Sequence, residues 1–255
     1  MHPLDQVLAL PAFHDNYIWC WAAQGQLHVV DPGDAAPVRA HLEASGLSLG
    51  SILITHHHPD HVGGVAALRK LAPEAPVYGP AAGPFSDLSQ PLREGDRIET
   101  GGAQFEILAT PGHTLDHICY VHPNALFCGD TLFAAGCGRL FEGEPAQTQA
   151  SLAKLAALPD STPVYCAHEY TLANLRFAEA MHPEHAPTRE RRVQVQAQRD
   201  KGAITLPSSI GLERKTNPFL RAGDPALQQA LRAQGHRADD ALSAFTSLRQ
   251  AKDRF

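Results

Sequence analysis

Cysteine is scarce in this chain, and none of it is arranged as a clamp. The 255 residues include five cysteines (Cys20, Cys119, Cys128, Cys137 and Cys166), an odd number with no C-x-x-C pair. That argues against a disulfide framework and for a reducing compartment, with the thiols acting mainly as packing residues. Long apolar runs are missing too, since none reaches the roughly 18 residues that a membrane span needs. The opening MHPLDQVLALPAF has no basic segment leading into a long apolar stretch. Neither secretion nor membrane insertion is therefore supported, and the cytoplasm is the expected location. A positive charge surplus is also lacking: the net charge is -6. Without a dense Lys/Arg stripe, nucleic acid is an unpromising partner.

The charge that is present is unevenly spread. Residues 1–168 hold 7 Lys/Arg against 17 Asp/Glu, whereas residues 169–255 hold 14 against 10. Such a bias is ordinarily a solvated helical face. Here it also allows an anion-binding wall next to an acidic first part.

Short β-type runs bounded by turn residues dominate the first two thirds, at 6–10, 17–22, 27–30, 51–55, 105–109, 118–121, 125–128 and 164–167. Helical periodicity falls between some of them, at 38–44, 62–71 and 147–158. Strands interleaved with helices indicate an α/β core of two layered sheets or one open sheet. After residue 168 the pattern is helical, at 172–181, 189–200, 225–234 and 239–252. This divides the chain into an α/β domain at 1–170 and a helical domain at 171–255.

What the sequence has in abundance is histidine at one place. Thr55-His56-His57-His58-Pro59-Asp60-His61 follows the apolar run Ser51-Ile52-Leu53-Ile54. In an extended segment residues two apart point the same way, so His56 and His58 can share an ion while His57 points elsewhere. Asp60 and His61 fall at the turn into a helix expected from Val62, which aims them at a second point. Three further apolar runs end in ligand-type residues: FEILAT before Pro111-Gly112-His113, ALFCG before Asp130, and TPVYCA before His168. Loops beyond strand ends are the usual place for α/β active sites. The glycines before His113 and Asp130 would let the backbone turn sharply.

A lone histidine after a strand is ordinarily a core or surface residue. Packing gives no reason for H-x-H-x-D-H, however, and its spacing suits two ions. Five neutral imidazoles and two carboxylates leave two divalent cations with a residual charge of about +2, enough to hold a hydroxide. The expected assignment is His56, His58 and His113 on one ion, Asp60, His61 and His168 on the other, and Asp130 on both. The remaining ten histidines, His57, His117 and His122 among them, are read as structural.

This pattern resembles the metallo-β-lactamase superfamily, which implies an αββα sandwich over about the first 170 residues. Three other segments, Pro11–Trp19, Gly136–Gly143 and Ala167–Thr171 with Asn174-Leu175, resemble the glyoxalase II family of hydroxyacylglutathione hydrolases. So do Asn217-Pro218-Phe219-Leu220-Arg221 and the closing Arg249-Gln250-Ala251-Lys252-Asp253-Arg254-Phe255. The resemblance implies a monomer whose small-molecule partner is a glutathione thioester, above all S-lactoylglutathione. It also implies two divalent ions, zinc first with iron or manganese as alternatives. Asp60 and Asp130 would position the hydroxide, with substrate contacts at Arg139, Phe141, His168, Tyr170, Arg249 and Lys252. Some relatives carry tyrosine where this chain has Phe141, which can supply an apolar wall or its backbone but no hydroxyl. A glutathione persulfide dioxygenase with a single iron on the same fold is an alternative, and a non-catalytic metal-binding module is another. Lactonase, β-lactamase and nuclease activities fit less well.

Overall fold

The computed structural model describes residues 3–255. It divides into two compact units, one running to Thr110 and including Thr114–Gly129, the other made of Pro111–His113 and Asp130–Phe255.

The first unit opens with a short 3₁₀ turn, Pro3–Gln6, followed by β1 (Leu8–Ala12), β2 (Asn16–Ala23), β3 (Gln26–Val30), α1 (Ala35–Ser45) and β4 (Ser48–Leu53). Next come α2 (Pro59–Val62), α3 (Val65–Leu71), β5 (Val77–Pro80) and β6 (Gln90–Leu92). A second set, β7 (Arg97–Thr100), β8 (Ala103–Ala109), β9 (Ile118–His122) and β10 (Ala125–Gly129), closes the unit. Strands β1 to β6 form one sheet in chain order, antiparallel through β3 and parallel from β3 onward. The switch to parallel pairing requires a crossover between β3 and β4, and α1 supplies it. Asp34 caps α1 by accepting from the Ala36 N–H at 2.9 Å, and Gly46 ends it at φ 71°.

Strands β7 to β10 form an antiparallel meander. In β8 the residues Ala103, Phe105 and Ile107 are buried while Gln104 and Glu106 are exposed, the two-residue period of a strand with one wet face. The two sheets meet through aromatic side chains. Trp21 of β2 stacks on Phe127 of β10 at 5.8 Å and lies tilted against Phe105 of β8 at 5.7 Å. Tyr120 donates its hydroxyl across the interface to the Ile54 carbonyl at 2.8 Å. On the opposite face of the first sheet, Ile18, Cys20, Ile52 and Ile54 pack with Val38 and Leu42 of α1 and Val65 and Leu68 of α3. β2 is therefore covered on both sides, which is why NYIWCW reads as a continuous buried run.

The second unit begins with a hairpin, β11 (Leu132–Phe133) and β12 (Gly136–Cys137), then α4 (Pro145–Ala156), β13 (Pro163–Cys166), α5 (Thr171–Met181) and α6 (Ala186–Arg199). It ends with β14 (Ser208–Ser209), α7 (Ile210–Thr216), α8 (Pro225–Ala233) and α9 (Ala241–Lys252). A buried polar network ties the hairpin down. Asn217 Nδ2 donates to the carbonyls of Phe133 at 3.1 Å and Gly136 at 2.9 Å, and Asn174 Nδ2 donates to that of Ala134 at 3.1 Å. Glu213, with no exposed surface, accepts from the Ala135 N–H at 2.7 Å and from Arg191 Nη2 at 2.7 Å. The carboxylate is thus both paired and hydrogen-bonded, the condition under which a buried charge is tolerated.

Three features differ from the sequence expectation. The helix placed at Val62 starts at Pro59, whose fixed φ and missing N–H suit a first helical turn, and the chain breaks at Gly63-Gly64 before α3. β5, β6 and β7 escape notice because each has at most four residues, too few for alternation to show. After residue 168, where only helices are expected, Ser208–Ser209 pairs antiparallel with β13, and α7 is additional.

Candidate metal centre

The first unit gathers four ligand-type side chains just beyond β4. Ile52, Leu53 and Ile54 are fully buried, so the segment after them is anchored before the histidines begin. His56 is fully buried, and its Nε2 lies 3.1 Å from His58 Nδ1. The His56 and His61 ring centroids are 4.0 Å apart, and His61 Nε2 lies 3.5 Å from Asp60 Oδ2. His57 turns away, with Nδ1 2.9 Å from Asp116 Oδ1. The extended backbone at His58 (φ -62°, ψ 146°) places His56 and His58 on one side. Entry into α2 then swings the following side chains round by about 100° per residue.

Behind these groups sits a residue that sequence reasoning passed over. Asp31, buried and held at φ 52°, lies at the end of β3. Its Oδ1 accepts from the Thr55 N–H at 2.7 Å, and its Oδ2 accepts from the Thr55 hydroxyl at 2.8 Å and lies 3.0 Å from His61 Nδ1. The same hydroxyl is 3.0 Å from His56 Nδ1. With Nδ1 engaged on both imidazoles, Nε2 is the atom left to bind an ion. Asn16 Nδ2 likewise holds Asp60 Oδ2 at 3.0 Å. The available signal was an aspartate closing an apolar run, as Asp130 does.

The second unit gathers three. His113 Nε2 and His168 Nε2 each lie 3.4 Å from the same oxygen, Oδ2 of Asp130. All three residues are buried. Atoms sharing a tetrahedral ion at bond lengths of about 2.1 Å stand about 3.4 Å apart. The spacing therefore fits ligands better than direct hydrogen bonds. His113 Nδ1 is 2.7 Å from the Arg139 carbonyl, which fixes the proton on Nδ1 and leaves Nε2 as the donor to a metal. His168 stacks on Tyr170 at 4.7 Å, and Phe133 meets both rings edge-on. Of the two glycines expected to turn the chain, Gly129 does so at φ 44°. Gly112 instead allows close approach, since a Cβ there would come within 2.4 Å of Thr148 Oγ1.

The remaining expected residues also lie in the second unit. Phe141 is 61% exposed and packs against His113 at 5.3 Å. Tyr170 precedes α5. Arg249 is buried, with Nη1 donating to the Cys137 carbonyl at 2.9 Å and Cζ lying 5.4 Å over Phe219. Lys252 Nζ sits between the rings of Phe177 and Phe255 at 5.3 and 5.4 Å. Burial, and then the neighbouring Arg249, lowers its pKa. The free cysteines are all buried, and burial pushes the thiols of Cys20 and Cys166 up to about 12, so neither is a ready nucleophile.

Residues 16–168 match the model of the metallo-beta-lactamase superfamily, and residues 169–255 match that of the hydroxyacylglutathione hydrolase C-terminus. The hydroxyacylglutathione hydrolase of Ectopseudomonas mendocina is 55% identical over 98% of this chain and 99% of its own length. This chain belongs to the hydroxyacylglutathione hydrolases. A second family relative, from Hahella chejuensis, is 50% identical over 99% of this chain and 100% of its own. Among solved structures, ETHE1 from Myxococcus xanthus is 26% identical, with a TM-score of 0.65, covering 97% of this chain and 98% of that one. As a hydroxyacylglutathione hydrolase, also termed glyoxalase II, the chain is a hydrolytic, metal-binding enzyme of the metallo-β-lactamase fold, with His/Asp clusters able to hold metal. Family membership at this identity does not favour the dioxygenase or the non-catalytic module. No helix among the described residues is long and apolar enough to cross a membrane.

Proposed function

We propose that this hydroxyacylglutathione hydrolase cleaves S-2-hydroxyacylglutathione, foremost S-lactoylglutathione, to glutathione and a 2-hydroxy acid, D-lactate, the second step of methylglyoxal detoxification. The observation that carries this reading is the pair of donor clusters, backed by anchored ring nitrogens, in a chain 55% identical to a hydroxyacylglutathione hydrolase. On this reading His56, His58 and His113 would hold one ion, Asp60, His61 and His168 the other, and Asp130 would serve both. Zinc suits these imidazole and carboxylate donors, and iron or manganese would be accepted by the same set. Closed structural zinc sites favour cysteine, which is absent from both clusters.

Bound divalent ions would supply a hydroxide at neutral pH, by lowering the pKa of water from about 15.7 towards 7, and would polarise the thioester carbonyl. The chain does the rest. Asp60, held by Asn16, and Asp130, set between two imidazoles, orient the nucleophile, and no separate catalytic base is assigned. The leaving group needs little help, because a thiol of pKa near 8.5 departs readily as thiolate. No general acid is therefore assigned. Arg139, Tyr170, Arg249 and Lys252 supply the cationic and aromatic surface for glutathione, and Phe141 adds an exposed apolar wall beside His113. Residues 171–255 act as the substrate-binding domain on this reading, in a monomeric, cytoplasmic enzyme.

The test is release of thiol from S-lactoylglutathione by metal-reconstituted protein, with metal content measured on the same sample. Turnover accompanied by two ions per chain is the expected result. A folded, metal-loaded protein that leaves the thioester intact would refute the assignment.

A further inference from the structure

We propose that Asp253 is a positioning residue of the glutathione site: it fixes the Arg139 guanidinium so that one edge faces outward as a ready-made fork for a substrate carboxylate. This rests on the reading that Arg139 meets the substrate.

Arg139 donates from Nε to Asp253 Oδ1 at 3.1 Å and from Nη2 to the Asp253 main-chain carbonyl at 3.3 Å. Both bonds use the same edge of the guanidinium. Among the described residues the side-chain contacts of Arg139 are confined to that edge, and the side chain is 53% exposed. The other edge, Nη1 with Nη2, has the geometry that pairs bidentately with a carboxylate.

Asp253 is itself held from behind. Its Oδ1 also accepts from Arg249 Nη2 at 2.8 Å, and its N–H bonds to the Arg249 carbonyl at 3.0 Å. Arg249 cannot follow a moving partner. It is buried, it lies over Phe219, and it donates from Nη1 to the carbonyls of Cys137 at 2.9 Å and Gly138 at 3.4 Å. The carboxylate therefore stands between an immobile guanidinium and an exposed one, and passes the rigidity of the first to the second. The Arg139 backbone is fixed independently, because its carbonyl lies 2.7 Å from His113 Nδ1. An exposed arginine normally surrenders rotamer freedom when it captures an anion, and one already held surrenders less, which raises affinity.

Two other roles make different predictions. As an ordinary helix-end ion pair with Arg249, Asp253 would contribute little at this exposure and would leave ligand binding alone. As a competitor for Arg139, it would weaken binding, and its removal would tighten it.

The experiment measures Kd for S-methylglutathione by calorimetry, and KM and kcat for S-lactoylglutathione. It uses the metal-loaded enzyme and its Asp253→Ala, Asp253→Asn, Arg139→Ala and Arg139→Ala/Asp253→Ala variants. Positioning predicts that Asp253→Ala raises Kd and KM about tenfold while kcat changes less than about threefold. Asp253→Asn, whose amide oxygen still accepts, restores most of the loss. In the Arg139→Ala background the Asp253 change adds less than about twofold, because the two residues act as one unit. Unaltered or tighter binding by Asp253→Ala, wild-type binding by Arg139→Ala, or equal weakening by Asp253→Ala in both backgrounds would overturn the proposal. Failure of the wild-type enzyme to bind S-methylglutathione would overturn the substrate reading as well, so the two failures are told apart.

Discussion

Asp31 Oδ2 lies 3.0 Å from His61 Nδ1 while the same carboxylate accepts from the N–H and the hydroxyl of Thr55. One side chain thus orients His61 directly and, through the Thr55 hydroxyl, braces His56. Losing a partner of this kind typically costs 10–100-fold in metal affinity or activity. Asp31→Asn is expected to fall in that range, read as a rightward shift in a metal titration followed by thioester turnover. Wild-type metal affinity in this variant would show that the imidazoles orient themselves.

Asp130 Oδ2 stands 3.4 Å from two ligand-type imidazoles, those of His113 and His168. Asp130→Ala should lower turnover more than loss of a supporting residue does, beyond about 100-fold, and should reduce the ions bound per chain. Elemental analysis of the purified variant checks the second half independently of activity.

Glu213 holds the hairpin from inside the second unit. Truncating it strands the Arg191 guanidinium, which is buried, along with the Ala135 N–H. Breaking one side of a buried pair costs about 3–5 kcal/mol. Chemical denaturation of Glu213→Ala should show a lower midpoint with a similar slope. Glu213→Gln, which keeps an acceptor oxygen, should recover part of the loss.

His28 supplies a pH dependence in the first unit. It is buried against Trp21 at 5.2 Å and bonded to Ser51 Oγ at 2.8 Å, and burial lowers its pKa from 6.5 to about 4. Between these values the unfolded chain binds the proton and the folded chain does not. Stability from this group is therefore complete above pH 6.5 and declines as pH falls towards 4, by up to about 3 kcal/mol. Urea titrations at pH 7 and pH 4.5 should show a smaller difference for His28→Gln than for the wild type. Equal differences would place the acid sensitivity elsewhere.

Histidine spacing made the ligand-bearing segment legible, because H-x-H-x-D-H has no packing explanation and four apolar runs each end in a ligand-type residue. The α/β character was legible for the same reason that β8 is: a strand with one buried face alternates, and a helix such as α1 repeats its apolar positions at Val38 and Leu42. What stayed hidden acts at long range or over too few residues. Asp31 meets Thr55 and His61 only after β3 and β4 pair, and Asn217 meets Phe133 only after the helices close on the hairpin. β6 has three residues and β14 two, so periodicity cannot mark them. Arg249 and Lys252 were legible as positive charges, but not Arg249 as a buried one or Lys252 as a half-buried one. Two of the rings that receive them, Phe219 for Arg249 and Phe177 for Lys252, sit on separate segments.

The hairpin from Leu132 to Cys137 hangs on amides and a carboxylate supplied by Asn174, Glu213 and Asn217. Recombination between homologous enzymes must respect that dependence. A chimera that joins this hairpin to a foreign helical region lacking those three side chains would leave main-chain groups at Phe133, Ala134, Ala135 and Gly136 with nothing to satisfy them. Functional crossovers should therefore cluster upstream of residue 130, with everything after it inherited as a block.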